Sequence, residues 1–112
     1  MKFFVTYQMP FSGLDEWMKL PEAERKAQEA QMKSDWDQWL ASHKDVISET
    51  AGVGKPKRIT KDGVTDARND LMMYSFVEAE SADAAAKIFE GHPHFGIPGA
   101  SIEVMSVNKN IS

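Results

Sequence analysis

Hydrophobic and polar positions alternate from the first residues. Phe3, Val5 and Tyr7 fall on one side of an extended segment and Phe4 and Thr6 on the other, which predicts a strand over residues 2–8 with apolar character on both faces. Met9-Pro10 and Ser12-Gly13 break it, and Leu14 to Lys19 suit a short helical turn. Pro21, followed by Glu22 and Glu24, marks a helix start, because proline fits the first helical position and early acids complement the helix dipole. The spacing predicts a helix over residues 21–43 that docks through Met32, Trp36, Trp39, Leu40 and His43. Val46-Ile47 suggests a short strand before Gly52-Val53-Gly54 and Pro56. Asp62-Gly63 between residues 57–61 and 64–66 predicts a hairpin.

Leu71 to Ala79 reads as a strand with Leu71, Met73, Val77 and Ala79 on one side and Met72, Tyr74 and Phe76 on the other. Ser81 caps a second helix over residues 82–90, with Ala82, Ala85, Ile88 and Phe89 as its docking stripe and Gly91 and Pro93 as stop signals. A last strand covers residues 102–107. The order strand, helix, strands, helix, strand is that of an α+β, ferredoxin-like split βαβ sandwich. At 112 residues the chain makes one domain, residues 1–112. Two helices can cover one face of its sheet, yet three strands are apolar on both faces. A second copy packed sheet on sheet is the simplest cover, so a homodimer through the open face is expected.

Composition narrows the function. No cysteine is present, which removes disulfides, thiol nucleophiles and cysteine-based zinc sites. The net charge of −4 argues against nucleic acid as a partner. Lys55, Lys57, Arg58 and Lys61 form a local basic cluster that reads as lysine protection of an exposed edge strand. The apolar run Phe3-Phe4-Val5 is too short for a signal-peptide core, and no stretch approaches the roughly 20 apolar residues of a membrane span, so a cytoplasmic protein without membrane partners is expected. Asn110-Ile111-Ser112 matches a glycosylation acceptor that has no meaning without secretion. Gly52-Val53-Gly54-Lys55 lacks the upstream glycine and the following Ser or Thr of a phosphate loop, and no Gly-x-Ser-x-Gly elbow occurs.

Gly63 to Asp66, the strand at 71–79, the alanine-rich helix and the closing His92-Pro93 and Ile102-Glu103-Val104-Met105 together form a pattern that resembles the YCII-related family, including its DGPF-motif branch. The resemblance covers nearly the whole chain and implies a dimeric α/β barrel of ferredoxin-like fold. The Asp-Gly-Pro-Phe loop of that branch corresponds to Asp66-Ala67-Arg68-Asn69, matching at Asp66 alone. Another branch has a helix histidine and an Asp-Pro-Tyr aspartate. Here those positions hold Met32 or a neighbour, and His92 before Pro93, so no family catalytic pair carries over intact.

His92 and His94, one apart on a segment read as extended, would point to the same side and could share a ligand or a proton-transfer role. Two nitrogens are too few for most metal sites, and a third ligand would have to come from Asp66, Asp70 or His43, so no metal and no cofactor is expected. The plainer reading is a polar loop whose histidines cap carbonyls or face an interface. Arg68 could hold a substrate carboxylate while Asp66 orients a histidine, with Asp70 beside them; equally, these residues could be a solvated loop pairing among itself. Tyr7, Met72, Tyr74, Phe76 and Met105 could line an apolar barrel interior, with Tyr7 and Tyr74 meeting a substrate. The expected function is cofactor-free acid/base chemistry on a small metabolite, isomerase-like, with His92, His94 and Asp66 catalytic. The alternative is a non-catalytic ligand-binding or accessory dimer.

Overall fold

The computed structural model describes residues 1–108, so the Asn110-Ile111-Ser112 tripeptide lies outside the described residues. Its centre is the strand β1, Lys2–Gln8, which pairs antiparallel on both sides. On one side lies β5, Leu71–Glu78, and beyond it β2, Ile47–Gly52; on the other lies β6, Ser101–Ser106. The resulting order β2-β5-β1-β6 is the antiparallel sheet of a ferredoxin-like fold. The strand pair β3, Lys57–Thr60, and β4, Gly63–Asp66, forms a separate hairpin between β2 and β5.

Period-two alternation decides which face of the sheet is buried. Phe3, Val5 and Tyr7 of β1, Val77 of β5, and Ala85 and Phe89 of the next helix form the core, each 3% exposed or less. The helix α2, Glu22–His43, and α3, Ala82–Ile88, lie over this face. Every residue of the sequence-derived α2 stripe is half-buried: Met32, Trp36, Trp39, Leu40 and His43. The N-terminal half of α2 is wet, and ion pairs at the i, i+4 spacing run along the helix, Glu22–Lys26 in its first half and Lys33–Asp37 in its second. Ser81 caps α3, its hydroxyl accepting from the Ala84 N–H at 3.1 Å. Ala82, expected in the docking stripe, is exposed, and α3 docks through Ala85, Ile88 and the Phe89 that follows it.

Three other expectations change. The short turn expected at 14–19 is a helix, α1, Phe11–Met18, with Pro10 at its N-cap. Gly13, read as a breaker, lies inside α1, where a Cβ would sit 2.7 Å from the Pro98 carbonyl oxygen. Glycine is there for close approach rather than to end a helix. The segment expected to contain only a short strand at 46–47 carries β2 as far as Gly52. Finally, Met72 does not share the face of Tyr74 and Phe76. The register shifts between Tyr7 and Gln8, so that Tyr7 pairs with Met73 and Gln8 with Leu71, which leaves Met72 as the extra residue. Met72 packs beside the helix-side core.

The opposite face of the sheet carries Phe4, Tyr74 and Phe76, whose ring centroids lie 5.2 to 5.9 Å apart. No element of the described chain lies over them. Among the described residues no helix is long and apolar enough to cross a membrane. Replacing the wholly buried Phe3 with Ala is expected to cost about 3–5 kcal/mol. Gly13→Ala is expected to cost about 1–3 kcal/mol through overpacking. Lys33→Ala, on the wet face of α2, serves as control and should stay within about 0.5 kcal/mol. Urea unfolding followed by far-UV circular dichroism reads all three.

Candidate functional site

Gly91, at φ +71°, ends the α3 segment and turns the chain back over the sheet. The next residues are not extended, as the His-Pro-His spacing suggested, but form a 3₁₀ turn, Pro93–Gly96, with His92 as its N-cap. Proline at the first position fixes φ for the turn. The turn therefore separates the two imidazoles to a centroid distance of 6.5 Å and gives each its own partner.

His92 Nδ1 accepts the His94 backbone N–H at 2.9 Å, which places the ring proton of neutral His92 on Nε2. His94 Nε2 donates to the Gln8 carbonyl at 2.8 Å, leaving Nδ1 with its lone pair. His92 Nε2 and His94 Nδ1 are both buried without a hydrogen-bond partner. Around them stand Tyr7, Trp36, Trp39 and Phe89. The His92 ring is 4.5 Å from that of Trp36 and 4.3 Å from that of Trp39, steeply inclined to both, which gives Nε2–H aromatic neighbours where no oxygen is present.

Burial lowers the pKa of His92 to about 4, with His94 and then His43 adding to the effect. Burial likewise lowers that of His94, against the opposing pull of the Gln8 and Ser101 backbone carbonyls. Both imidazoles are neutral at pH 7. Tyr7 is wholly buried, its hydroxyl 2.8 Å from Ser75 Oγ, which is 2.7 Å from Thr50 Oγ1. Burial pushes its phenol up, with the Ser75 bond acting the other way. His43 donates Nδ1–H to the Trp39 carbonyl at 2.7 Å and stacks on the Trp39 ring, a helix-end role for that histidine.

His94 also lines a cleft of about 280 Å³ with Met32, Trp36, Leu40, Met72 and Ile97. Met32, Met72 and Ile97 line in addition a larger space of about 650 Å³ under α1, with Leu14, Trp17 and Leu20. The two share a wall and make one apolar groove between α1, α2 and the 96–98 loop. Its larger part carries Glu16 and Glu29 but no lysine, arginine or histidine. The groove was not legible in the sequence: α1 was read as a mere turn, and Met72 changes face through the bulge.

The other candidate residues lie elsewhere. Asp66, at the end of β4, is exposed and ion-paired to Lys57. Arg68 is exposed, with its guanidinium carbon 3.8 Å above the centre of the Phe11 ring. Asp70 is exposed, and its backbone carbonyl accepts from the Met9 N–H at 2.8 Å. That places Arg68 and Asp70 near the start of α1, although neither lines the groove. Tyr74 stands on the open sheet face, where burial and the Glu49 carboxylate raise its pKa. The structure thus unites His92, His94 and Tyr7 and leaves Asp66, Arg68, Asp70 and Tyr74 outside that cluster. Among the described residues no group of three or more histidine, aspartate or glutamate side chains is placed to hold a metal ion.

No family model matches the sequence, and no curated protein matches it either. Among solved structures the fold is similar to that of 5-chloro-2-hydroxyhydroquinone dehydrochlorinase from Burkholderia phenoliruptrix, in complex with 2,5-dihydroxybenzoquinone. The TM-score is 0.52 over 92% of this chain and 91% of that one, at 16% identity. The likeness is one of fold, and it spans nearly the whole of both chains.

The depressed histidines have a consequence for stability. Because the folded pKa of His92 lies below its unfolded value, the unfolded chain takes up the extra proton between about pH 6.5 and about pH 4. Stability is therefore complete above that window and falls as pH drops through it, by up to about 1.4 kcal/mol per pH unit for one group. Urea midpoints at pH 7.5, 6.0 and 5.0 should decline in that order. His92→Asn keeps a capping acceptor while removing the titration, so its decline should be shallower, with His94 supplying a residual slope of the same sign.

Proposed function

We propose that this protein is a YCII-like, dimeric α/β-barrel domain that binds a small, mostly apolar, oxygen-bearing metabolite in the groove between α1 and α2. The observation that carries the reading is His94 on the groove wall: a neutral imidazole with its tautomer fixed by the Gln8 carbonyl and its Nδ1 lone pair unpartnered. Such a nitrogen is a general base that needs no cofactor. It would take a proton from a carbon next to a substrate carbonyl. The C–H electron pair moves toward the carbonyl oxygen as an enolate, and the imidazolium formed is held by its Nε2–H bond to Gln8. Return of the proton to a second carbon completes an isomerisation with no oxidant or reductant.

His92 acts as a positioning residue, since its Nδ1 holds the His94 backbone in the turn. Glu16 and Glu29 border the larger part of the groove, and at the His94 end Lys33 is paired with Asp37, so the lining as a whole favours a neutral ligand over a carboxylate. In this reading Arg68 and Asp70 act near the outer end of α1, and Asp66 and Tyr74 take no part in proton transfer. The dimer forms by packing the Phe4–Tyr74–Phe76 faces of two copies together, which covers the rings the helices leave open. A second reading, binding without chemistry, is favoured by the complete burial of His94.

2-Cyclohexen-1-one, a neutral and mostly apolar ring ketone with C–H bonds next to its carbonyl, is a suitable first probe. Saturable quenching of Trp17 fluorescence is expected, and Met32→Arg, which fills the shared wall of the groove, should weaken it at least tenfold, on the order of 1.4 kcal/mol. Absence of saturable quenching would sink the groove as a site for this class of ligand. Deuterium incorporation at the probe's C–H positions next to the carbonyl in D₂O, followed by NMR, separates the two readings. Loss of enzyme-dependent exchange in His94→Gln with quenching retained supports proton transfer, and binding without exchange supports the non-catalytic form.

A further inference from the structure

The β3–β4 hairpin is folded although every one of its residues is exposed. A lone two-stranded hairpin is at best marginally stable in water. Its register pairs Lys57 with Asp66 and Ile59 with Val64, so one face sets an apolar pair beside an ion pair. Ile59 is 77% exposed and Val64 64%, and nothing among the described residues covers them. The base of the hairpin is closed by the Ala67 N–H to the Pro56 carbonyl, and its two ends lead into β2 and β5. The radius of gyration is 16.0 Å, against about 13 Å for a fully compact domain of this length. The hairpin is one of the parts that stand away from the body.

Its charge is also out of keeping with the rest. Lys55, Lys57, Arg58 and Lys61 face only Asp62 and Asp66 within the segment, two more cations than anions. With a net charge of −4 for the whole chain, six negative charges in excess lie elsewhere. Of the four cations, Lys57 is engaged by Asp66. On the open sheet face, Glu49 pairs across from Phe76, and Glu103 pairs across from Thr6. These carboxylates border the aromatic trio, and neither makes an ion pair among the described residues. A basic arm and an acid-bordered apolar face on one chain are complementary between two copies. The same excess of negative charge on the body disfavours a nucleic acid as the arm's partner.

We propose that the β3–β4 hairpin is a dimerisation arm. It reaches across to a second copy of this chain, lays Ile59 and Val64 against it, and brings Lys55 at its base and Lys61 at its tip to the Glu49 and Glu103 border of that copy's open face. The inference rests on the sheet-to-sheet dimer proposed above. It adds a second, electrostatic element that the aromatic face alone does not supply.

Sedimentation equilibrium at low and high salt tests it. The wild-type protein should be a dimer whose dissociation constant rises with salt. Ile59→Thr with Val64→Thr, which keeps β-branched cross-strand partners while removing the apolar pair, should raise that constant at least about tenfold, as should Lys55→Glu with Lys61→Glu. Glu49→Lys with Glu103→Lys should do the same. Combining the last two pairs in one chain should restore affinity to within about threefold of wild type. A wild-type monomer would overturn the arm together with the sheet dimer beneath it. A wild-type dimer broken by Phe76→Lys but indifferent to the arm substitutions overturns the arm alone, and so does a combined variant that fails to recover.

Discussion

The hydrogen bond from His94 Nε2 to the Gln8 carbonyl joins residues far apart in sequence, and much of the helix side depends on it. It ties the 3₁₀ turn to the end of β1 just past the bulge, and the loop that follows the turn supplies Ile97 and Pro98 to the groove. It also selects the tautomer of His94, since a carbonyl can only accept. With Nε2 committed, Nδ1 is left as the free nitrogen. The bulge therefore acts twice: it brings Met72 to the groove, and the residue that follows it holds the imidazole on the groove wall.

Regular periodicity was the part of the fold most open to reading from sequence. The α2 stripe from Met32 to His43, the Asp62-Gly63 hairpin and the Phe3–Val5–Tyr7 alternation each depend on neighbours a few residues apart, and each stands as the pattern implied. What escaped depends on contacts between distant segments. Gly13 reads as punctuation after the first strand until Pro98 is known to press against it. Met72 belongs by parity with Tyr74 until a register shift in β1 turns it to the other side. His92 and His94 look like a ligand pair on an extended segment, whereas a capping bond between the first ring and the second residue's backbone makes a turn. The polar loop of Asp66, Arg68 and Asp70 was the densest run of functional side chains, yet density along the chain says nothing of distance from a cavity.

The environment that keeps the histidines neutral also limits them. A base with a depressed pKa is free of its proton at neutral pH, but it binds a proton less strongly when one is offered. His92, the more strongly depressed, has its Nδ1 occupied and its Nε2–H among indole rings, so it is suited to hold the turn. His94 has a carbonyl partner that stabilises the charged form and an unused lone pair. Of two imidazoles in one buried cluster, the hydrogen bonds hold the first in the turn through its Nδ1 and tie the second to β1 through its Nε2.

The two sheet faces solve the burial problem by different means. On the helix side, large rings from α2, α3 and the 3₁₀ turn close over β1, and the polar atoms taken inside are few and mostly satisfied within the chain. The other face gathers Phe4, Tyr74 and Phe76 where Thr6 of the same strand is itself buried, and edges them with acids and Lys2, whose ammonium lies 4.6 Å from the centre of the Phe76 ring. An apolar centre with a charged rim is the anatomy of an interface. A core face needs no such rim, because no water reaches its edge. The charges around the second face would let a covering partner be chosen by its own charge pattern as well as by apolar fit.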